Sequence, residues 1–443
     1  TGAPLEAFAR VDLFSGVPAA RIEVTLRNPR RAEHPGGQWS LGDSGSVLID
    51  AAVVGMQLKT PVTALTCAPE KGAPREPFAL PFFIHQESSG GDRWHAPVHR
   101  NRDGRVPMRY QGYRLLAGDS RREGRRATPV VVVDTAHGPV SATMPQFWEN
   151  FPRSIRVEAD RIEFGLYPSQ DNQPHELQGG EQKTHGLVVC FGPDPIGAEP
   201  LEWCHDPTVI CVDPDQACAS AGIPYLVPAA EDPSSAYLRL IDLALDDTRG
   251  FFAKREQADE FGWRHFGDLP ADHESAFQPQ DQPFVSHYNN QYDPVAGFAI
   301  HFLRTGDRRW WQLMVDLAAH VRDVDIYHTN EDKTAYNGGL FWHTNHYVDA
   351  GLSTHRTYPK GGADGGGPSA EHNYNSGLML HYFLTGDDRS RDAAIALGQW
   401  VLDMDDPRQT PLRWLSLNPT GWASYTAGHH KPGRGARHSI LAC

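Results

Sequence analysis

Residues 297–307 read GFAIHFLRTGD, and residues 377–387 read GLMLHYFLTGD. The second segment begins 80 positions after the first (377 − 297 = 80), and each is followed by a further apolar segment, which ends near Asp325 in one copy and near Asp405 in the other. Apolar residues recur in these segments at the spacing of a helix. In each copy the glycine can end the first helix in the left-handed conformation, and the aspartate after it can begin the next helix. The repeat therefore predicts two helical hairpins of the same design.

Segments rich in histidine, tyrosine, asparagine and arginine flank these hairpins. They read SHYNNQYD at 286–293, FWHTNHY at 341–347, STHRTYP at 353–359 and EHNYN at 371–375. Such side chains carry polar atoms that need partners when buried, so this density is difficult to explain as packing. Equivalent loops of a repeated hairpin lie on one rim, which favours an α/α toroid with a polar pocket there. Residues 417–435 begin a third such approach and then the sequence stops. A complete toroid would need more hairpins, so we expect a chain that is incomplete at both ends, with the end of the toroid missing.

The N-terminal half shows a different period. Short β-branched or alternating segments are separated by Gly, Pro and Asp turns, among them residues 21–26, 46–49, 129–133 and 154–158. Many short strands at such spacing predict an antiparallel β-sandwich. A helical pattern starts at Tyr237, after the capping segment DPSS. We therefore expect a sandwich domain over residues 1–200, a linker over residues 201–233 and the toroid domain over residues 234–443.

Two polar segments of the N-terminal half are candidates for contact with a ligand. Residues 90–124 are rich in Arg, Gly and Asp and have little periodicity, which indicates a long loop that could overhang a cleft. Residues 175–185 hold two histidines, two glutamates and a lysine just before an apolar strand. A solvated turn explains this second segment as well as a ligand contact does.

Composition limits the classes of partner. The 443 residues carry 41 Lys and Arg against 55 Asp and Glu, a formal net charge of −14, which argues against nucleic acid or an anionic membrane as the main partner. A local group of Arg and His can still bind an anionic sugar. No apolar run approaches the ~18 residues of a membrane span. We therefore expect an acidic polysaccharide or oligosaccharide as partner, with no nucleic acid and no membrane; the oligomeric state is not readable.

The six cysteines lack the paired spacing of a zinc site. Cys204, Cys211 and Cys218 are close enough in sequence for a local disulfide, and free thiols are an equal alternative. The N-terminus carries no basic and then apolar leader, so it does not reveal the compartment. We favour a secreted or periplasmic location over the cytoplasm.

Several motifs resemble those of the exo-acting rhamnogalacturonan lyases and their uncharacterised bacterial relatives. They are GGQWSLGDSGS at 36–46, GGEQKTH at 179–185, SHYNNQYD at 286–293, and YNGG at 336–339 followed by FWH at 341–343. The resemblance covers most of the chain. It implies a central β-sandwich followed by a C-terminal α/α toroid, preceded in the family by a barrel-like β domain. It also implies a lyase that cleaves a uronate-containing polysaccharide from a chain end by β-elimination.

Such a lyase removes the proton at C5 of a uronate and expels the oxygen at C4. The enzyme must neutralise the uronate carboxylate, take the C5 proton and protonate the leaving oxygen. We expect Asn290 or Asn289, with His343, to bind the carboxylate, His346 and Tyr347 to transfer protons, and Arg356 to stabilise charge. Tyrosine, with a reference pKa of ~10, needs such cations to serve as a base. The other residues expected to line the sugar subsites are His287, Tyr288, Asn289, His355, Tyr358, His372, Tyr374 and Arg434, with Trp342 as a stacking ring.

Other chemistries remain open at this point. His343, His346 and Asp349, with His355 nearby, could supply zinc ligands, although their spacing is not that of a metalloprotease. We expect no cofactor, with a divalent cation such as calcium left open. A glycoside hydrolase on the same toroid could use two carboxylates from Asp293, Asp349, Asp364 and Glu371. A carbohydrate-binding protein without turnover is the third alternative. His301, His320 and His381 lie in the helical repeat and are expected to be packing or surface residues.

Overall fold

The computed structural model describes residues 5–170, 173–270, 286–333, 335–344, 349–358, 367–369, 373–404, 425–426 and 429–430. The N-terminal part is built from antiparallel strands. Their bounds are β1 Glu6–Leu13, β2 Ala19–Arg27, β3 Val47–Ile49, β4 Ala52–Gln57, β5 Ala64–Ala68, β6 Glu76–Pro77, β7 Phe82–Gln86, β8 Tyr113–Ala117, β9 Ser120–Gly124, β10 Val130–Thr135, β11 Gly138–Thr143, β12 Arg153–Val157, β13 Arg161–Tyr167, β14 His175–Leu177 and β15 Gln182–Phe191.

These strands form two large sheets that share one core. One sheet has the order β1-β2-β15-β11-β10-β5-β6 and the other the order β4-β13-β12-β7-β8-β9, while β14 pairs with β3. The core between the sheets takes alternate residues of both, for example Val131 and Val133 of β10 and Ile155 and Val157 of β12. This alternation is the period-2 pattern that the sequence shows. The predicted strands at 21–26, 46–49, 129–133 and 154–158 are therefore confirmed.

The segment 90–124, predicted as one long loop, is a loop only up to residue 112. Its remainder is the β8–β9 hairpin, in which Tyr113 pairs with Gly124 and Ala117 with Ser120. The prediction was wrong here because β9 is an edge strand of exposed charged residues, and its composition resembles that of a loop.

The C-terminal part is helical. Its helices are α1 Pro214–Ala219, α2 Ser235–Ala244, α3 Phe251–Ala258, α4 Pro294–Thr305, α5 Arg308–His320, α6 Ser376–Thr385 and α7 Asp388–Met404, and a short strand pair, β16 Tyr425–Thr426 and β17 His429–His430, follows them. Within the described ranges, no helix is long and apolar enough to cross a membrane.

The two predicted hairpins are confirmed as α4–α5 and α6–α7. Gly306 and Gly386 end α4 and α6 with φ angles of 68° and 72°, the left-handed region in which glycine is not strained. Asp307 accepts a hydrogen bond from the backbone N–H of Arg309, and Asp387 does the same for Arg389. Both turns thus contain a left-handed glycine followed by a capping aspartate, as the repeat predicts.

Helix α5 does not end in a regular turn. It continues into a five-residue π-helical turn, Val321–Asp325. The carboxylate of Asp323 accepts hydrogen bonds from the backbone N–H and the hydroxyl of Thr184, both at 2.9 Å. These bonds join the helical part to β15 of the seven-stranded sheet. The last strand of the two large sheets ends at Phe191, and the first α-helix begins at Pro214. The exact division into domains stays a prediction.

The structure decides whether the cysteines form a local disulfide or remain free thiols. All five cysteines in the described part of the chain, including Cys204, Cys211 and Cys218, are free thiols. The local disulfide is therefore not formed among these three residues.

Candidate active site: a basic cleft beside a buried histidine cluster

A cleft of about 340 Å³ lies where the sheets meet the segment after α3. Three stretches supply most of its lining: the loop between β7 and β8, the segment that leads into β14, and the turn at residues 262–265. Within the loop that was predicted to overhang a cleft, residues 99–103, 107 and 108 line this one. His175 of the second polar segment also lines the cleft, whereas His185 is fully buried against Tyr167.

Two arginines give the cleft free positive charge. Arg100 and Arg102 both line it, and neither has an ion-pair partner among the residues that the structure describes. Arg264 also lines the cleft, but its guanidinium is bound to Glu181 at 3.0 Å. Because an unpaired guanidinium binds carboxylates through charged hydrogen bonds, the cleft favours an anionic ligand.

His99 lies in the same cleft and is oriented by a carboxylate. Its Nε2 is 2.6 Å from Oδ2 of Asp259, and the hydroxyl of Ser89 donates to the other oxygen of Asp259 at 2.5 Å. The aspartate holds the Nε2–H, so in the neutral ring Nδ1 carries the lone pair. Within the described ranges Nδ1 has no hydrogen-bond partner. This arrangement has the geometry of a general base with its orienting carboxylate.

Behind the cleft lies a group of residues that we call the histidine cluster: Glu260, His265, Asp268, His287, His320, Asp325 and His355. All are buried, and His265, at 5% exposure, also lines the cleft. His355 is at its centre. Its Nε2 is 2.9 Å from Nδ1 of His265, and its Nδ1 is 3.1 Å from Asp268 and 3.2 Å from His320.

The remaining members close the cluster from other directions. Nδ1 of His287 is 2.9 Å from Oε1 of Glu260, and Nε2 of His320 is 3.2 Å from Oδ1 of Asp325. Asp268 is fixed by the backbone, because its Oδ1 accepts hydrogen bonds from Leu269 N and Asn289 N. The π-helical turn supplies Asp325, and π turns are frequent at functional sites.

The carboxylates set the charge of the imidazoles. Burial opposes a charge on His287, but Glu260 and Asp268 raise the pKa of its imidazole to about 10. Burial and the neighbouring histidines hold the pKa values of His265 and His355 well below the usual value. At neutral pH His287 is therefore an imidazolium, while His265 and His355 are neutral.

The structure places some predicted site residues in this cluster and others in supporting positions. His287 and His355 belong to the cluster. The amide of Asn289 donates to the backbone oxygens of Phe341 and His355, and that of Asn290 donates to the backbone oxygen of Tyr374 at 3.1 Å. In this structure the two asparagines hold the surrounding chain together.

Other predicted residues pack among aromatic rings near the start of α4 and in the segment between α5 and α6. His343 packs on Tyr288 and Trp342, with ring centroids 5.6 and 5.8 Å away. Arg356 is 1% exposed; it donates to the backbone oxygen of Gly179 and lies over the ring of Phe341.

Of the remaining predicted residues, the structure describes two, Tyr374 and Tyr358. Tyr374 packs against Tyr292, and the backbone oxygen of Tyr358 accepts from Trp39 N. His346, Tyr347, His372 and Arg434 lie outside the described residues. The catalytic and substrate-binding roles assigned to the whole predicted set stay predictions.

Sequence reasoning missed the residues that complete the cleft and the cluster. They are His99, Arg100, Arg102, Asp259, Glu260, His265, Asp268 and Asp325. The segment DEFGWRHFGD at 259–268 is as dense in polar and aromatic residues as the four segments that were singled out, so this density was an available signal. His320, expected to be a packing or surface residue, lies in the cluster, whereas His301 and His381 are packed within the hairpins as expected.

Comparison with known proteins adds no assignment. No protein-family model matches the chain, and no curated protein is significantly similar to it in sequence.

Proposed function

We propose that this protein is a polysaccharide lyase that cleaves a uronate-containing, rhamnogalacturonan-like polysaccharide by β-elimination, acting from a chain end. The observation that carries the proposal is the cleft in which two unpaired arginines accompany the His99–Asp259 pair. We also propose that the hairpins α4–α5 and α6–α7 belong to an α/α toroid, which the 80-residue repeat supports.

The uronate carboxylate would bind at Arg100 and Arg102. A C5 proton is weakly acidic while the adjacent carboxylate carries its full charge, so neutralising that charge lowers the barrier to enolate formation. Guanidinium groups suit this task because they stay charged and match the two carboxylate oxygens. The anionic product of proton removal is stabilised by the same two groups.

The proton would move through His99. Nδ1 of His99 takes the proton from C5 while Asp259 stabilises the resulting imidazolium. The electron pair of the C5–H bond forms the C4–C5 double bond, and the C4–O bond breaks. The C5 proton and the C4 oxygen of a galacturonate lie on opposite faces of the ring. The leaving glycosidic oxygen would therefore take its proton from solvent water on the other face, and the imidazolium of His99 would release the C5 proton to solvent, so the residue ends the cycle neutral.

The test is the ultraviolet absorbance of the conjugated double bond during incubation with rhamnogalacturonan and with other uronate polymers. The wild-type chain is expected to produce this absorbance, and His99→Gln is expected to lower the rate about 10²- to 10⁴-fold, the usual contribution of a general base. His95→Gln is the matched control, because His95 is exposed in the same loop and does not line the cleft. Full activity of His99→Gln would refute the assignment of the base.

A second comparison separates this site from the one predicted from the sequence alone. Tyr347→Phe removes the tyrosine expected there to transfer a proton. If Tyr347→Phe is inactive and His99→Gln is active, elimination takes place at the site predicted from the sequence. New reducing ends without absorbance would indicate hydrolysis. Two acidic residues line this cleft, Asp103 and Glu176, and a hydrolase would need two carboxylates. Glu176 is the stronger candidate for the acid, because its buried Oε2 has no hydrogen-bond partner in the described part of the chain.

A further inference from the structure

We propose that Glu260, His265, His287 and His355 form a binding site for a zinc ion next to the cleft. Each of these residues offers one donor atom, and the four donor atoms lie within 4.8 Å of one another. The set consists of three imidazole nitrogens and one carboxylate oxygen, which are ordinary ligands of zinc. It differs from the set considered from the sequence, of which only His355 is a member.

Two of the distances between donor atoms are close to those of a tetrahedral site. With Zn–N bonds of about 2.0–2.1 Å, two ligands of a tetrahedral zinc ion lie about 3.3 Å apart. Nδ1 of His265 and Nε2 of His355 are 2.9 Å apart, and Nδ1 of His287 is 2.9 Å from Oε1 of Glu260. Binding would therefore need small side-chain rotations and the release of a proton by the His287 imidazolium, with no change of fold.

The surroundings supply the outer shell that zinc sites use. A histidine ligand almost always gives its second ring nitrogen to a carboxylate or a backbone oxygen, which fixes the orientation of the ring. Nδ1 of His355 lies 3.1 Å from Asp268 Oδ2, and Asp268 is in turn held by the N–H groups of Leu269 and Asn289. His355 can thus present Nε2 to an ion while Asp268 fixes the ring.

The balance of charged groups also favours a cation. Four buried carboxylates lie here: Asp259, Glu260, Asp268 and Asp325. Among the described residues, no lysine or arginine comes within ion-pair distance of any of them, and only histidines do. In addition, Oδ1 of Asp325 has only His320 Nε2 beside it, at 3.2 Å, and its Oδ2 is buried without a hydrogen bond in the described part of the chain. A divalent cation in place of the extra proton of His287 would offset one more of these negative charges than the imidazolium does.

The ligand set selects among divalent cations. Calcium takes six to eight oxygen ligands, and three nitrogens in four positions do not suit it. Imidazole suits zinc and its first-row neighbours. His265, the member that reaches the cleft, provides the path by which an ion enters. The alternative to zinc is a cluster held by protons alone, in which His265 donates to His355.

The experiment uses the full chain, first stripped with a chelator and then dialysed against zinc, calcium or magnesium chloride. We expect about one zinc ion per chain by elemental analysis, and a higher unfolding temperature with zinc only. Cobalt chloride should give the intense visible absorption of a tetrahedral cobalt site. No zinc retained and no cobalt absorption would show that protons alone hold the cluster, and would overturn the proposal.

Variants identify the ligands. Glu260→Gln and His265→Gln should each weaken zinc binding by at least ~100-fold, whereas His95→Gln should bind zinc as the wild type does. Asp268→Asn should weaken it about 10- to 100-fold, as expected for a group that orients a ligand. The proposal would be overturned if Glu260→Gln and His265→Gln bound zinc as well as the wild type does. If a variant does not fold, the cobalt spectrum of the wild type still tests whether the tetrahedral site exists. The zinc content and the cobalt spectrum do not depend on lyase activity, so the zinc site can fail while the proposed function holds, and the reverse.

Discussion

Two glycines at equivalent positions of the repeat should respond in opposite directions to the same substitution. Gly297 lies in the first turn of α4, and a Cβ added there meets nothing within 4 Å. Gly377 lies in the first turn of α6, where a Cβ would come within 3.0 Å of Asp293 Oδ1, Ala296 N and Val295 Cβ. The first turns of α4 and α6 thus touch at Gly377, and one contact is with backbone, which cannot rotate away.

The magnitudes follow from these surroundings. Gly297→Ala should raise the free energy of unfolding by about 0.5–1 kcal/mol, because alanine loses less chain entropy in a helix. Gly377→Ala gains the same entropy, but it also forces α4 and α6 apart, and overpacking costs about 1–3 kcal/mol, or more when backbone must move. We expect a net loss of about 2 kcal/mol. For a domain of this size, 1 kcal/mol corresponds to about 2–4 °C in unfolding temperature.

The assay is thermal unfolding of both variants and the wild type, followed by far-ultraviolet circular dichroism. Gly377→Ala should unfold about 4–8 °C below the wild type, and Gly297→Ala about 1–4 °C above it. The comparison between the two variants carries the test, because a chain with several structural parts need not unfold in one step. Equal unfolding temperatures for the two variants would refute the close contact between the hairpins at Gly377.

Two acidic groups, the partly buried Glu149 and the fully buried Asp316, give further predictions. Burial raises the pKa of Glu149 from 4.5 to about 7, so the folded chain holds this proton where the unfolded chain has released it, and stability falls as the pH rises from about 4.5 to 7. Glu149→Gln should match the wild type in urea unfolding at pH 4.5 and exceed it by about 2 kcal/mol at pH 8; equal differences at both pH values would contradict this. Arg255→Met should lower stability by about 3–5 kcal/mol, because it leaves Asp316 buried without the guanidinium that lies 2.9 Å away. Adding Asp316→Leu should recover most of that loss, and a double variant no more stable than Arg255→Met would argue against the ion pair as the cause.

The hairpins could be predicted because their determinants are neighbours in sequence. A glycine that ends a helix and an aspartate that begins the next act over two or three residues, so Gly306 and Asp307 could be interpreted without knowledge of the rest of the chain. The same is true of Ser234, whose hydroxyl accepts from Tyr237 N at the start of α2.

The histidine cluster could not be predicted in this way. His265, His287, His320 and His355 come from four separate stretches, and spacing in sequence carries no information on which of them meet. The helical pattern that includes His320 predicts a packing or surface role for this residue. In the structure, the π-helical turn that follows His320 brings Asp325 beside its imidazole.

Polar density also has more than one cause. Asn289 adopts a φ of 51°, a left-handed conformation that asparagine tolerates better than most residues, and its amide bonds to two backbone oxygens. Part of the density that indicated a pocket therefore supports an irregular backbone. The density of polar residues indicated the region of the histidine cluster. It could not distinguish residues that form a pocket from residues that support an irregular backbone.

The π-helical turn Val321–Asp325 does not by itself decide whether Asp325 meets His320. A π turn holds one more residue than an α turn, and residues five apart in it face the same way as residues four apart in an α-helix. Deletion of a single residue between His320 and Asp325 would let the helix continue regularly and would leave the two side chains on one face. Relatives that carry such a deletion would therefore keep both the hairpin and this pair of charged groups.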